Sequence, residues 1–256
     1  MSEKIYLWEN EMPNLTKEKS EVKIEFDKES NVTKLIEVSN PLIQVFKPEE
    51  KINNGNAVLI CPGGSYQILA LDKEGAEPAM WLNKLGYTTY VLQYRVPDNR
   101  EGAFNDIQRA FKIIKNKYNH TKIGVLGFSA GGNLCARLST NFSKTSYHLI
   151  DKADKENCKP DFMLLIYPAY LDEGKNKSIS QNLLNDKNIC PTFIFGTEDD
   201  VYFNSIPVFI NHLKEINSNF ELNTLKSGGH GYGLRKGNIA AETWPLLAKK
   251  WLNSIN

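Results

Sequence analysis

The chain has 256 residues, 41% of them hydrophobic and 24% charged, with 31 Lys+Arg against 30 Asp+Glu for a formal charge of +1. That length builds one sizeable α/β domain or two small ones, and the globular composition excludes a disordered chain. The near-neutral balance gives no electrostatic reason for nucleic acid or an anionic membrane as partner, and no apolar run reaches the roughly 18 residues that span a bilayer.

The start, MSEKIYLWENEMPNL, has no apolar stretch of the signal-peptide kind. The expected compartment is the cytoplasm, although a trimmed secreted chain would read the same. Residues 21–26, 32–38 and 42–46 read as strands, VKIEFD alternating cleanly. NAVLICP, 56–62, is a continuous apolar run of strand length, as expected for a strand buried on both faces. PGGSYQ follows as a loop. Residues 74–85 carry Ala76, Met80, Trp81 and Leu85 at helical spacing. A β-rich segment at 87–95 precedes a helix over 103–117 with Phe104, Ile107, Ala110, Phe111 and Ile114 on one face. KIGVLGF, 122–128, is a buried strand, and a helix runs on from Ser129 through Leu134 and Leu138. Strands follow at 161–168, 191–197 and FELNTLK. Helices are expected at 203–216 and around Trp244, Leu247, Ala248 and Trp251. Alternating strands and helices imply parallel pairing with right-handed crossovers: one doubly wound sheet with helices on both faces. No repeat or linker divides the chain, so a single domain over 1–256 is expected, its first 50 residues the least distinctive. The polar stretch at about 169–189 is too short for a large lid.

Cys61, Cys135, Cys158 and Cys190 form no C-x-x-C pair and lie at no metal-ligand spacing, so they read as buried thiols and no metal is expected. The chemistry points to Ser129. In an open parallel sheet, sites form at the carboxyl ends of strands. GFSAG at 127–131 has the G-x-S-x-G spacing of a nucleophile elbow, in which flanking glycines relieve a strained strand-to-helix turn. A serine hydroxyl needs a base. Among the four histidines, His212 falls on an amphipathic segment and reads as a helix-surface residue. His120 lies at the wrong strand end, and His148 in a polar stretch. His230, in SGGHGYG, lies after the last strand, where a loop presents an imidazole to Ser129. The base needs a carboxylate, and TEDDV supplies Glu198, Asp199 and Asp200 at another strand end. One aspartate would face the imidazole while the other caps the next helix. From the residues alone, Asp199 and Asp200 stand level. The order Ser, Asp, His is that of α/β-hydrolases. Ala130, after the nucleophile, supplies one oxyanion N–H, and CPGGSY at 61–66 is placed to supply the second.

Together these pieces resemble the α/β-hydrolase superfamily, and within it the small, lidless acetyl esterases and acetylxylan/feruloyl esterases. The resemblance rests on CPGGSY, WLNKLGYTTYVLQYRVP, DIQRAFKIIK, KIGVLGFSAGGNL, FGTEDDV and SGGHGYGL, and runs from about residue 56 to the C-terminus. It implies Asp199 as the triad acid, with Gly64 and Ser65 as loop amide donors. It also implies a serine carboxylesterase for short acyl esters, such as O-acetyl groups on carbohydrate, with no cofactor and no metal. Ser65 replaces the usual third glycine; it keeps its N–H, while its side chain narrows the acyl pocket. The partner implied is a small-molecule or oligosaccharide ester, with no nucleic acid and no membrane; homo-oligomerisation is left open. Tyr66 and Tyr232 are candidate substrate-lining residues. An amidase or peptidase with the same triad is one alternative. Kynurenine formamidases are another, disfavoured because Pro62 stands where their loop carries histidine. A non-catalytic binding protein on this fold is the remote one.

Overall fold

The computed structural model describes residues 3–9 and 11–255; the outer limits expected for the domain, residues 1, 2 and 256, lie outside it. In chain order the strands are β1 Lys4–Tyr6, β2 Lys23–Asp27, β3 Val32–Glu37, β4 Leu42–Phe46, β5 Ala57–Cys61, β6 Leu69–Ala70, β7 Thr88–Gln93, β8 Ile123–Phe128, β9 Met163–Ile166, β10 Asp172–Glu173, β11 Ser178–Ile179, β12 Thr192–Thr197 and β13 Phe220–Leu225. The helices are α1 Glu77–Lys84, α2 Arg100–Lys117, α3 Ala130–Ser139, α4 Ser205–Glu215 and α5 Ile239–Ile255.

The main sheet runs β1-β4-β7-β5-β8-β9-β12-β13. From β7 to β13 all pairs are parallel, while β4 and β1 add antiparallel strands at one edge. This is the mostly parallel, doubly wound architecture expected, and the physical reason is visible in β5, β7 and β8, whose residues are all buried. A strand covered on both faces needs apolar residues on both, so its sequence is a continuous apolar run. On β5, Leu59 belongs to one core while Val58 and Ile60 belong to the other. The first core is closed by α2, α3 and α4 through Ile107, Leu134 and Phe209; the second by α1 and α5 through Leu82 and Trp244.

Short elements escape the periodicity of the sequence. The stretch 169–189 holds the β10–β11 hairpin rather than a bare loop, and Asp172 ties it to α4 by accepting from Ser205 Oγ at 2.6 Å. β6 pairs with β3, so the N-terminal β2–β3 hairpin buttresses the loop after β5. His212 is the one histidine placed wrongly by the sequence: it is 6% exposed, on the buried face of α4. His120 lies at the amino end of the sheet, 2.8 Å from the Tyr90 hydroxyl. All four cysteines are buried and free. No helix among the described residues is long and apolar enough to cross a membrane.

Candidate active site

β8 enters Ser129 from a fully buried strand and α3 leaves it at Ala130. Ser129 has φ 49° and ψ −118°, a conformation that a side-chain-bearing residue adopts only where its surroundings enforce it. The enforcement comes from close backbone approach. A Cβ on Gly131 would lie 2.0 Å from the Cys61 carbonyl oxygen, and one on Gly127 would lie 2.3 Å from the Gly131 oxygen. Only glycine lets β5, β8 and α3 converge this tightly. Main-chain bonds from Ser129 N–H to the Ile166 carbonyl (3.2 Å) and from Ala169 N–H to the Ser129 carbonyl (3.1 Å) complete the clamp. The turn sets the serine at the N-terminal, positive end of the α3 dipole.

His230 Nε2 lies 2.8 Å from Ser129 Oγ, across 101 residues of sequence. Its Nδ1 lies 2.7 Å from Asp200 Oδ2, so the carboxylate against the imidazole is Asp200 and not Asp199. Both aspartates leave β12 at its carboxyl end, but as neighbours they point apart. Asp200 turns inward, 7% exposed, and also accepts from Tyr202 N–H at 2.8 Å. Asp199 turns outward and accepts from Gly229 N–H (2.9 Å) and Gly228 N–H (3.1 Å). Those two amide bonds, Gly229 first, hold its carboxyl below the usual carboxylate range. The two aspartates divide the work, but differently from expectation. One carboxylate faces the imidazole and the other fixes the glycine backbone that carries it; α4 is capped by neither, its N-cap being Asn204.

The loop after β5 faces the serine. The Gly63 carbonyl accepts from Ala70 N–H at 3.1 Å. Because the peptide is planar and trans, this aims the Gly64 N–H the opposite way. The Gly64 carbonyl accepts from both Gln67 and Ile68, which closes the turn, with Gly64 at φ 133° and Ser65 at φ 57°. The Gly63 N–H is already committed to the buried carboxylate of Glu74 at 2.7 Å. The loop groups expected to face an oxyanion are therefore the Gly64 and Ser65 amides, with Ala130 opposite at the start of α3.

Of the two tyrosines expected to line the cleft, Tyr66 borders a cleft beside Ser65 although it is only 1% exposed, while Tyr232 is buried at 5% exposed. Tyr66 donates to Asn133 Oδ1 at 2.7 Å, and Tyr232 packs edge-on against Tyr167 with centroids 4.4 Å apart. On the His230 side the half-buried rings are Tyr202, 4.9 Å from the imidazole, and next to it Tyr170, 5.4 Å from Tyr202. Arg100 stacks between Tyr66 (4.9 Å) and Tyr170 (4.7 Å). Sequence reasoning missed Tyr170 and Tyr202, although both follow the carboxyl ends of strands, where sites form. It also missed Glu74, whose helical pattern gives no sign of burial. Among the described residues, no group of three or more His, Cys, Asp or Glu stands where it could hold a metal ion.

Known proteins resemble this chain in sequence and fold. The chain is 28% identical over 208 residues to an acetylxylan esterase of Xylanibacter ruminicola, covering 73% of this chain and 43% of that protein. It is 28% identical over 208 residues to endo-1,4-beta-xylanase B of Butyrivibrio fibrisolvens, covering 69% of this chain and 32% of that one. It thus spans less than half the length of these two relatives. A solved acetyl ester-xyloside bifunctional hydrolase from Caldicellulosiruptor lactoaceticus superposes with TM-score 0.78 at 26% identity, over 99% of this chain and 96% of that one. Esterase 2 of Thermogutta terrifontis shares the fold, with TM-score 0.70 at 18% identity over 96% of each chain. Residues 58–190, which carry the Gly63–Ser65 loop and the Ser129 elbow, match the family described as alpha/beta hydrolase fold; with more than half its length in that match, the chain belongs to the α/β-hydrolase fold family.

Proposed function

We propose that this chain is a serine carboxylesterase hydrolysing short-chain acyl esters, with O-acetyl groups on carbohydrate as the leading substrate class. The observation that carries the reading is the continuous hydrogen-bonded line Ser129–His230–Asp200, with the serine on a strained elbow at a helix N-terminus. The acetyl and carbohydrate parts draw on the relatives named above as an acetylxylan esterase and an acetyl ester-xyloside hydrolase.

In this mechanism Ser129 Oγ attacks the ester carbonyl while His230 Nε2 takes its proton. Asp200 holds the imidazole in the tautomer that leaves Nε2 free to accept, and stabilises the imidazolium as it forms. The carbonyl oxygen becomes an oxyanion between the Ala130 amide and the Gly64 and Ser65 amides, where the α3 dipole also favours negative charge. Collapse expels the alcohol, which takes the proton from His230. A water molecule then repeats the sequence on the acyl-enzyme and releases the acid. The alcohol would extend past Ser65 toward a cleft of about 350 Å³ lined by Ser65, Tyr66, Gln67, Asp98 and Arg100, polar groups of the kind that bond sugar hydroxyls.

A hydrolysis panel tests the proposal: acetyl, butyryl and feruloyl esters, acetylated xylo-oligosaccharides, N-formylkynurenine and a peptide amide. Acetyl esters should turn over fastest, and Ser129→Ala should lose several orders of magnitude in kcat. Preferred cleavage of the amides, or an active Ser129→Ala enzyme, would overturn it.

A further inference from the structure

Glu74 is 4% exposed and lies in the π-helical turn Asp72–Ala76 that leads into α1. Burial pushes its carboxyl above the ordinary range. A buried carboxyl is expensive to desolvate, and π-helical turns are rare and frequently found at functional sites. Its contacts explain its presence. Oε2 accepts from Gly63 N–H at 2.7 Å and Oε1 accepts from the Tyr167 hydroxyl at 2.9 Å. The same hydroxyl oxygen accepts from Gly233 N–H at 3.0 Å. Gly63 adjoins the expected oxyanion donors, and Gly233 lies three residues after His230. The Tyr167 ring also packs edge-on to the imidazole, with centroids 5.1 Å apart. Gly63 itself is pinned in the gap: a Cβ there would meet Glu74 Oε2 at 2.6 Å and Ser129 Cβ at 2.9 Å.

We infer that Glu74 is a positioning residue that clamps the oxyanion loop and the histidine loop into one unit, through Gly63 on one side and Tyr167–Gly233 on the other. It touches neither substrate nor reacting atoms. Its two oxygens accept from both loops at once; a glutamine that keeps the Gly63 bond through Oε1 turns its amide N–H toward Tyr167, whose hydroxyl must then switch from donor to acceptor. The loops come from the first and last thirds of the chain, so without the clamp their spacing would depend on the sheet alone. An error of about 1 Å in such a spacing lowers rates on the order of 100-fold.

The inference rests on the serine-esterase reading, and the Ser129→Ala control separates the two: an active Ser129→Ala enzyme sinks that reading, whereas an inactive one leaves the clamp to be judged on its own variants. Glu74→Gln and Tyr167→Phe are compared with wild type for kcat, KM, Tm and inhibition by an alkyl boronic acid, which captures the serine as a tetrahedral anion. Glu74→Gln should lose roughly 10- to 100-fold in kcat with KM within about threefold, and its boronate affinity should fall by a similar factor. Tyr167→Phe keeps the Gly63 contact and cuts the link to Gly233; it should lose roughly 5- to 10-fold, and adding it to Glu74→Gln should cost little more, because the two act as one unit. Tyr167→Phe also carries the test should Glu74→Gln fail to fold. A kcat within twofold of wild type in the variants that fold would overturn the inference. So would a lost kcat with unchanged boronate affinity, the signature of a merely unstable enzyme.

Discussion

Asp200 and His230 meet at 2.7 Å across the carboxyl ends of two strands, and the neighbouring Asp199 grips the backbone just ahead of the histidine through two amide bonds. One carboxylate orients the imidazole and the other orients the loop. The two substitutions should therefore separate cleanly. Asp200→Asn keeps the shape but favours the wrong imidazole tautomer, and should lower kcat on the order of 10³- to 10⁴-fold. Asp199→Asn retains an acceptor for one of the two glycine amides and should lose less than about tenfold. Steady-state rates on p-nitrophenyl acetate decide it, and the reverse ranking would return the triad role to Asp199.

Tyr202 presents a half-buried ring 4.9 Å from His230 and contacts Tyr170, while its amide supports Asp200. The amide survives any side-chain change. Tyr202→Ala should therefore leave kcat within about threefold and raise KM several-fold, the pattern of lost uniform binding. Comparing p-nitrophenyl acetate with an acetylated xylo-oligosaccharide measures it; a large fall in kcat with unchanged KM would mean that the ring shapes the transition state instead.

Much of this architecture is legible in the amino-acid sequence, for a physical reason. Strands such as β5 and β8 are buried on both faces and so must be apolar throughout, and Gly127 and Gly131 must be glycines because the backbone of adjacent segments, the start of α3 and the end of β5, occupies their Cβ positions. What escapes depends on direction rather than residue type. Asp199 and Asp200 differ only in which side of the chain they face, and no composition records that. Glu74 and His212 sit in helical patterns whose polar members usually face water. Glu74 is buried between the ends of β5 and β9, with Tyr167 93 residues away, and His212 is buried on α4.

The burial of His212 gives a pH dependence of stability. Desolvation holds its imidazole below the ordinary histidine value, and Nε2 has no hydrogen-bond partner among the described residues. In the unfolded chain the same ring protonates near pH ~6.5. Below that pH the unfolded state takes up a proton that the folded state resists, so this contribution is complete above about pH 6.5 and is lost as pH falls through the folded value. His120, also depressed by burial, acts in the same sense. Urea unfolding from pH 8 to pH 5 should show falling stability, and His212→Leu should flatten part of the slope. An unchanged slope in that variant would show that other groups, carboxylates first, control the acid limb.

The N-terminal segment is held by charge buried beneath it. Asp106 is fully buried; it accepts from Trp8 Nε1 at 2.7 Å and from the Arg95 backbone N–H and side-chain Nε, both at 2.9 Å, and pairs with the Arg95 guanidinium at 2.9 Å. Arg95 is itself only 3% exposed, so Asp106→Ala leaves a guanidinium without its counter-charge and an indole N–H without its acceptor. Removing one member of such a buried pair destabilises by about 3–5 kcal/mol, whereas replacing both with apolar residues of similar volume is often close to neutral. Chemical denaturation should therefore rank Asp106→Ala well below wild type, with Arg95→Met/Asp106→Leu recovering much of the loss. If the double variant is as unstable as the single one, the ion pair contributes through its several further hydrogen bonds rather than through the charge left behind, and the N-terminal segment is anchored by those bonds.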